Sequence, residues 1–176
     1  VDDQEVIWSK GFGMADVEQG IPADTDTVYR VGSISKLFTD MAIMQQVEQG
    51  NIDIDTPLGD YLPDFTIENP FETEKFVTLR NMMSHFSGLP REAPVGSYFD
   101  DTEPSIEATV RSMYGTRMIY PPETRTKYSN AAITMVGYVL SLVTGKDYVA
   151  YQNEHILDPL GMSSSDFLPN DVVREN

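Results

Sequence analysis

The stretch YRVGSISKLFTDMAIMQQVEQGN, residues 29–51, decides how the rest of the chain is read. Ser33 and Lys36 stand three residues apart near its start. Leu37, Met41, Met44 and Val47 then fall at helical spacing, and Gly50 suits a helix C-terminus. The spacing predicts a helix from about Ser33 to Gln49. Residues i and i+3 are neighbours on a helix surface, so a hydroxyl and an amine meet at the helix's positive end. A serine hydroxyl is a weak nucleophile until an adjacent base takes its proton. The helix field favours an alkoxide over a second cation, which makes a neutral amine at Lys36 the expected base. The simpler alternative is that Ser33 caps the helix and Lys36 points into water. Against it, a lysine in the first turn opposes the helix dipole.

A second constellation lies in KYSNAAITMVGYVLSLVTGK, residues 127–146. Tyr128 and Asn130 form a Y-x-N unit at the mouth of a segment that is apolar almost all round, which predicts a buried helix over 129–144 ending at Gly145. A phenol can share a proton with Ser33 and Lys36, and an asparagine amide can hold a substrate carbonyl and tether the lysine. The bland alternatives are a buried tyrosine with a satisfied hydroxyl and a helix cap at Asn130. Tyr151-Gln152-Asn153 matches Y-x-N too, but inside a helix its Tyr and Asn do not share a face, so it reads as core packing plus surface.

Elsewhere, Glu5–Phe12 reads as a strand, residues 14–24 as an edge or turn region, and Thr27–Val31 as a short strand. Thr78 caps a short helix that stops by Gly88 and Pro90. Ser105–Tyr114 and Asp147–Leu157 read as helices. Two or three strands beside about five helices are too few for a stable sheet.

With these segments in view the sequence resembles the serine beta-lactamase and penicillin-binding protein superfamily, on the branch of class C beta-lactamases, D-alanyl-D-alanine carboxypeptidases and related esterases. Ser33-x-x-Lys36 matches one of its motifs. Residues 11–39 look like its entry strands and nucleophile helix. VTLRNMMSHFSGLP (77–90), YSNAAITMVGYVLSLVTGKDYVAY (128–151) and ILDPLGM (156–162) look like segments that follow in order. The resemblance implies an α+β, beta-lactamase/transpeptidase-like fold: an antiparallel sheet flanked by helices, assigned to residues 1–49 and 128–176, plus a helical subdomain at 50–127. It implies an acyl-enzyme mechanism on a beta-lactam, a D-alanyl peptide or a small ester. Ser33 would be the nucleophile, Lys36 and Tyr128 the proton carriers, and Asn130 the substrate-binding amide. No cofactor or metal is implied. A secreted or periplasmic setting is, although no basic segment with a following apolar run marks a signal peptide at Val1.

The match lacks one part. The superfamily's K-T-G or H-x-G strand has no counterpart; the VTGK of residues 143–146 has the letters out of order at a helix end. The sheet is therefore expected to be incomplete, and a complementary C-terminal segment or second chain is the expected partner. The missing motif also leaves open a catalytically silent homologue or fragment that acts as a binding or interaction module.

Composition narrows the rest. The 176 residues carry 28 acidic and 12 basic side chains, a net charge of -16, which disfavours nucleic acid or an anionic membrane as partner. No apolar run reaches the ~20 residues of a membrane span. With no cysteine there is no thiol catalysis and no disulfide. His85 and Ser87 lack a G-x-S-x-G elbow and read as a structural turn, and His155 has no second histidine at zinc spacing. Residues 51–60, NIDIDTPLGD, mimic a calcium loop, but Pro57 interrupts it, and an acidic turn is the better reading.

Overall fold

The computed structural model describes residues 2, 3 and 5–168. Its helices gather around one central element, α5 (Asn130–Thr144), which buries Ala131, Ala132, Ile133, Met135, Val136, Gly137, Val139 and Leu140. Apolar residues on every side of this segment let it be packed from several directions at once. α1 (Ser35–Glu48), α3 (Leu79–Met83), α4 (Ile106–Ser112) and α6 (Tyr148–Gln152) all pack against it. α2 (Leu58–Tyr61) joins the same core through Leu58.

Local chemistry sets the helix ends. Thr78 and Asn81 form a reciprocal capping box at α3. Ser105 caps α4, Ser129 caps α5 and Asp147 caps α6, each through its side chain. α5 ends at Gly145 with φ of 67°. The acidic turn at 53–55 is tied to its own chain: Asp53 accepts from the Asp55 N–H, and Asp55 pairs with Arg80.

The strands depart most from expectation. The only sheet among the described residues is a hairpin of β1 (Met14–Asp16) and β2 (Ile21–Pro22), antiparallel with an irregular register. Its turn is closed by the Asp16 carboxylate, which accepts from the Gln19 backbone and side chain. Glu5–Phe12 and Thr27–Val31, read above as strands, are irregular instead. A strand exists only through its ladder, and beyond an isolated Asp2–Glu5 bridge none forms along these two stretches. Val6, Ile7, Trp8 and Phe12 are consequently each about 70% exposed.

α1 also turns differently from its apolar stripe. Leu37, Met41 and Met44 face outward, while Thr39, Ala42, Ile43 and Gln46 are buried. The inner face meets α5 and α6, while Leu37, Met41 and Met44 on the outer face stay largely open to solvent. No described helix is long and apolar enough to cross a membrane.

Candidate active site

Ser33 does not begin α1. It sits in a 3-10 turn, Gly32–Ile34, that runs directly into the helix at Ser35. Gly32 has φ of 53°, a left-handed conformation that glycine adopts at little cost. Ser35, not Ser33, closes this turn with a hydrogen bond to the Gly32 carbonyl at 2.7 Å. The Ser33 hydroxyl is thus spared from capping. It lies 2.6 Å from the Tyr128 hydroxyl and accepts from Lys36 Nζ at 3.3 Å. The three side chains come together although 95 positions separate Ser33 from Tyr128.

Tyr128 immediately precedes the Ser129 cap of α5, and a loop holds it there. The Ser129 hydroxyl donates to the Pro90 carbonyl at 2.6 Å while accepting from the Ala132 N–H. Lys127 N–H donates to the His85 carbonyl at 2.7 Å, and Asn130 N–H to the Arg91 carbonyl at 2.7 Å. Earlier in the same pairing, Ile119 N–H reaches Gly88 and Glu123 N–H reaches Phe86. Segment 85–91 is therefore laced to segment 119–130 through the main chain. His85 turns out of α3 with φ of 61° and lays its ring 4.4 Å from that of Tyr128. Its Nδ1 accepts the Ser129 N–H at 3.4 Å. Burial, helped by the Lys36 charge, lowers the His85 pKa, so the ring is held as a neutral acceptor.

Cations surround the phenol. Lys36 Nζ is 5.0 Å and the Arg91 guanidinium 5.3 Å from the ring centroid of Tyr128. Burial alone would raise its pKa, but the interactions with Lys36 and Ser33 and the Arg91 charge outweigh it, and the net shift is downward. The site can therefore carry a proton between a hydroxyl, an amine and a phenol tuned toward ionisation.

Asn130 reaches the same cleft, but its amide is held differently from the tether to Lys36 anticipated above. Its Nδ2 donates to Glu92 Oε1 at 2.7 Å. The amide nitrogen can only donate, and it meets a carboxylate, while Lys36 Nζ donates to Ser33 Oγ. Glu92, Arg91 and the packing role of His85 carried no sequence signal of their own. The cleft, about 1080 Å³, is lined by Ser33, Lys36, Tyr128 and Asn130 together with Tyr98 and Phe99. His155, by contrast, packs on Tyr151 and meets Lys146, away from the cleft.

Helices with an incomplete two-stranded sheet, arranged this way, have the beta-lactamase/transpeptidase-like fold. The structure superposes on EstCE1, a hydrolase with promiscuous acyltransferase activity, with TM-score 0.85 and 26% identity, over 96% of this chain and 47% of that one. It superposes on a beta-lactamase/D-alanine carboxypeptidase from Yersinia pestis with TM-score 0.80 and 26% identity, over 95% and 50%. Beta-lactamase-like protein 2 of Dictyostelium discoideum is 37% identical over 175 residues, 96% of this chain and 32% of the relative. The Beta-lactamase family model matches residues 1–176, and the chain belongs to that family. It spans about a third of that relative and about half of each of these two solved neighbours.

Proposed function

We propose that the chain carries the nucleophile side of a serine hydrolase that works through an acyl-enzyme on a beta-lactam, a D-alanyl peptide or a small ester. The observation that carries this reading is the Ser33 hydroxyl held at once by Tyr128 at 2.6 Å and Lys36 at 3.3 Å. Ser33 Oγ attacks the carbonyl carbon as its proton passes to the Lys36–Tyr128 pair. The pair returns that proton to the leaving group when the carbonyl–leaving-group bond breaks. The Ser33 N–H supplies one donor to the developing oxyanion, worth about 3 kcal/mol in the transition state. Water then cleaves the acyl–serine ester by the reverse route. The second oxyanion donor and the far wall come from a complementary C-terminal segment or second chain, which would also cover Leu37, Met41 and Met44. In this arrangement residues 50–127 form a helical subdomain beside a sheet domain built on 1–49 and 128–176.

A second reading is a catalytically silent binding module. Mass spectrometry of the intact protein after exposure to a chromogenic beta-lactam or a p-nitrophenyl ester separates the two. The expected result is an acyl adduct on Ser33, lost in Ser33→Ala together with at least about a 10³-fold fall in turnover. No adduct with either probe would leave the silent module standing.

A further inference from the structure

We propose that His85 is a positioning residue for Tyr128: its neutral imidazole seats the phenol against Ser33, and a second proton on that ring unseats it. This rests on the serine hydrolase reading and adds a regulation of the same site.

His85 grips the main chain on both sides of Tyr128. Its carbonyl accepts the Lys127 N–H at 2.7 Å, and its Nδ1 accepts the Ser129 N–H at 3.4 Å. Between these two bonds its ring packs on the phenol, 4.4 Å away and tilted by 42°. The backbone at His85 has φ of 61°, a conformation uncommon for a residue with a Cβ. Neither ring nitrogen bonds to Ser33 or Lys36 among the described residues, which separates His85 from the proton carriers. Three groups crowd the phenol. Lys36 and Arg91 are cations, and His85 is the one whose ordinary pKa lies near neutrality.

An acceptor at Nδ1 requires the ring's single proton to sit on Nε2. A second proton turns Nδ1 into a donor facing another donor, the Ser129 N–H, and the bond is lost. It also places a charge on a half-buried ring. The surroundings give that charge nothing to pair with. Lys36 faces the ring from α1, Tyr128 from segment 119–130, and Arg91 lies across the phenol from its own loop. Burial and the Lys36 charge both lower the His85 pKa from the ordinary 6.5, so the neutral ring is the working form at neutral pH. An imidazolium is driven toward water, and the phenol packed on it moves off Ser33. A proton carrier acts in the transition state, so the loss falls on kcat and not on KM.

The test uses the intact protein with p-nitrophenyl acetate, every version carrying Asp40→Asn, because Asp40 also titrates at about 6. In His85→Ala, kcat at pH 8 is expected to fall about tenfold with KM unchanged. His85→Asn recovers most of that loss, since asparagine tolerates the left-handed backbone and puts an amide oxygen near the place of Nδ1. The pH profile discriminates. With histidine, kcat falls toward acid below about pH 6.5, and with asparagine that limb is absent. A limb unchanged in His85→Asn, or a loss in His85→Ala that asparagine does not recover, would overturn the proposal and leave His85 as a packing residue. If p-nitrophenyl acetate does not acylate Ser33 in the version with His85, the hydrolase reading fails separately, and NMR decides the matter. With tyrosines labelled at Cζ and Tyr128 assigned from Tyr128→Phe, the Tyr128 resonance is expected to move as His85 titrates and to hold still in His85→Asn. A resonance indifferent to His85 would sink the positioning role.

Discussion

Tyr128 owes its position to the main chain and its chemistry to its neighbours. Ser129 and Lys127 fix the backbone on either side, and two cations and a neutral histidine crowd the ring. A second carboxyl group lies close to this cluster. Asp40 stands one turn past Lys36 on α1, half-buried, and its Oδ1 has no hydrogen-bond partner among the described residues. Burial raises its pKa from the ordinary 3.8 to about 6, against the opposing charge of Lys36. The folded protein therefore holds this proton more tightly than the unfolded chain does. Its own contribution to stability is fully present below about pH 4 and is lost as pH rises through about 6. Because the group is half in solvent, the decline is expected to be about 1 kcal/mol. Asp40→Asn should raise stability by that amount at pH 8 and leave it unchanged at pH 4, as denaturant titration at both pH values would register. An equal gain at both would assign the effect to packing. At this scale the sequence made Ser33, Lys36, Tyr128 and Asn130 legible, because each pair lies within one turn and the segments follow a recognisable order. Glu92 was not legible. Its bond to Asn130 spans 38 positions, and no local pattern encodes a contact of that kind.

The element that holds the site together is the pairing of segments 85–91 and 119–130. Gly88 is its tightest point. It has φ of 72°, and a Cβ there would lie 1.9 Å from the Tyr120 carbonyl oxygen. Gly145, which ends α5, has nearly the same φ, 67°, but open space around it. The comparison isolates crowding from backbone strain. Gly145→Ala is expected to cost about 1 kcal/mol from the left-handed conformation alone. Gly88→Ala is expected to cost about 3 kcal/mol or more, because backbone must move as well. Denaturant titration of both variants checks this, and equal losses would mean that the segment yields without penalty. Helices were readable from caps and periodicity: Thr78, Ser105, Ser129, Asp147 and Gly145 all mark ends that the structure has. The strands at 5–12 and 27–31 were not, since β structure depends on a partner and not on the segment itself. The apolar stripe of α1 misled for a related reason. Periodicity marks a face to be covered without saying what covers it.

For the molecule as a whole, the open question of cover becomes a prediction. Val6, Ile7, Trp8 and Phe12, with Leu37, Met41 and Met44 on α1, expose a quantity of apolar surface unusual for a stable monomer. The 176-residue chain alone is expected to associate, or to melt without cooperativity, in size-exclusion chromatography and circular dichroism. A cooperative, monomeric transition would count against an incomplete sheet. Its charge of -16 will slow association at low salt, so the experiment belongs at about 0.15 M. The span from Ser33 to Tyr128 has its own consequence, in the order of synthesis. A ribosome delivers Ser33 first and Tyr128 95 residues later. Closing so long a loop waits on the packing of α5, which comes later still. Until α5 has been made and packed, the Ser33 hydroxyl has no phenol beside it and is an ordinary alcohol.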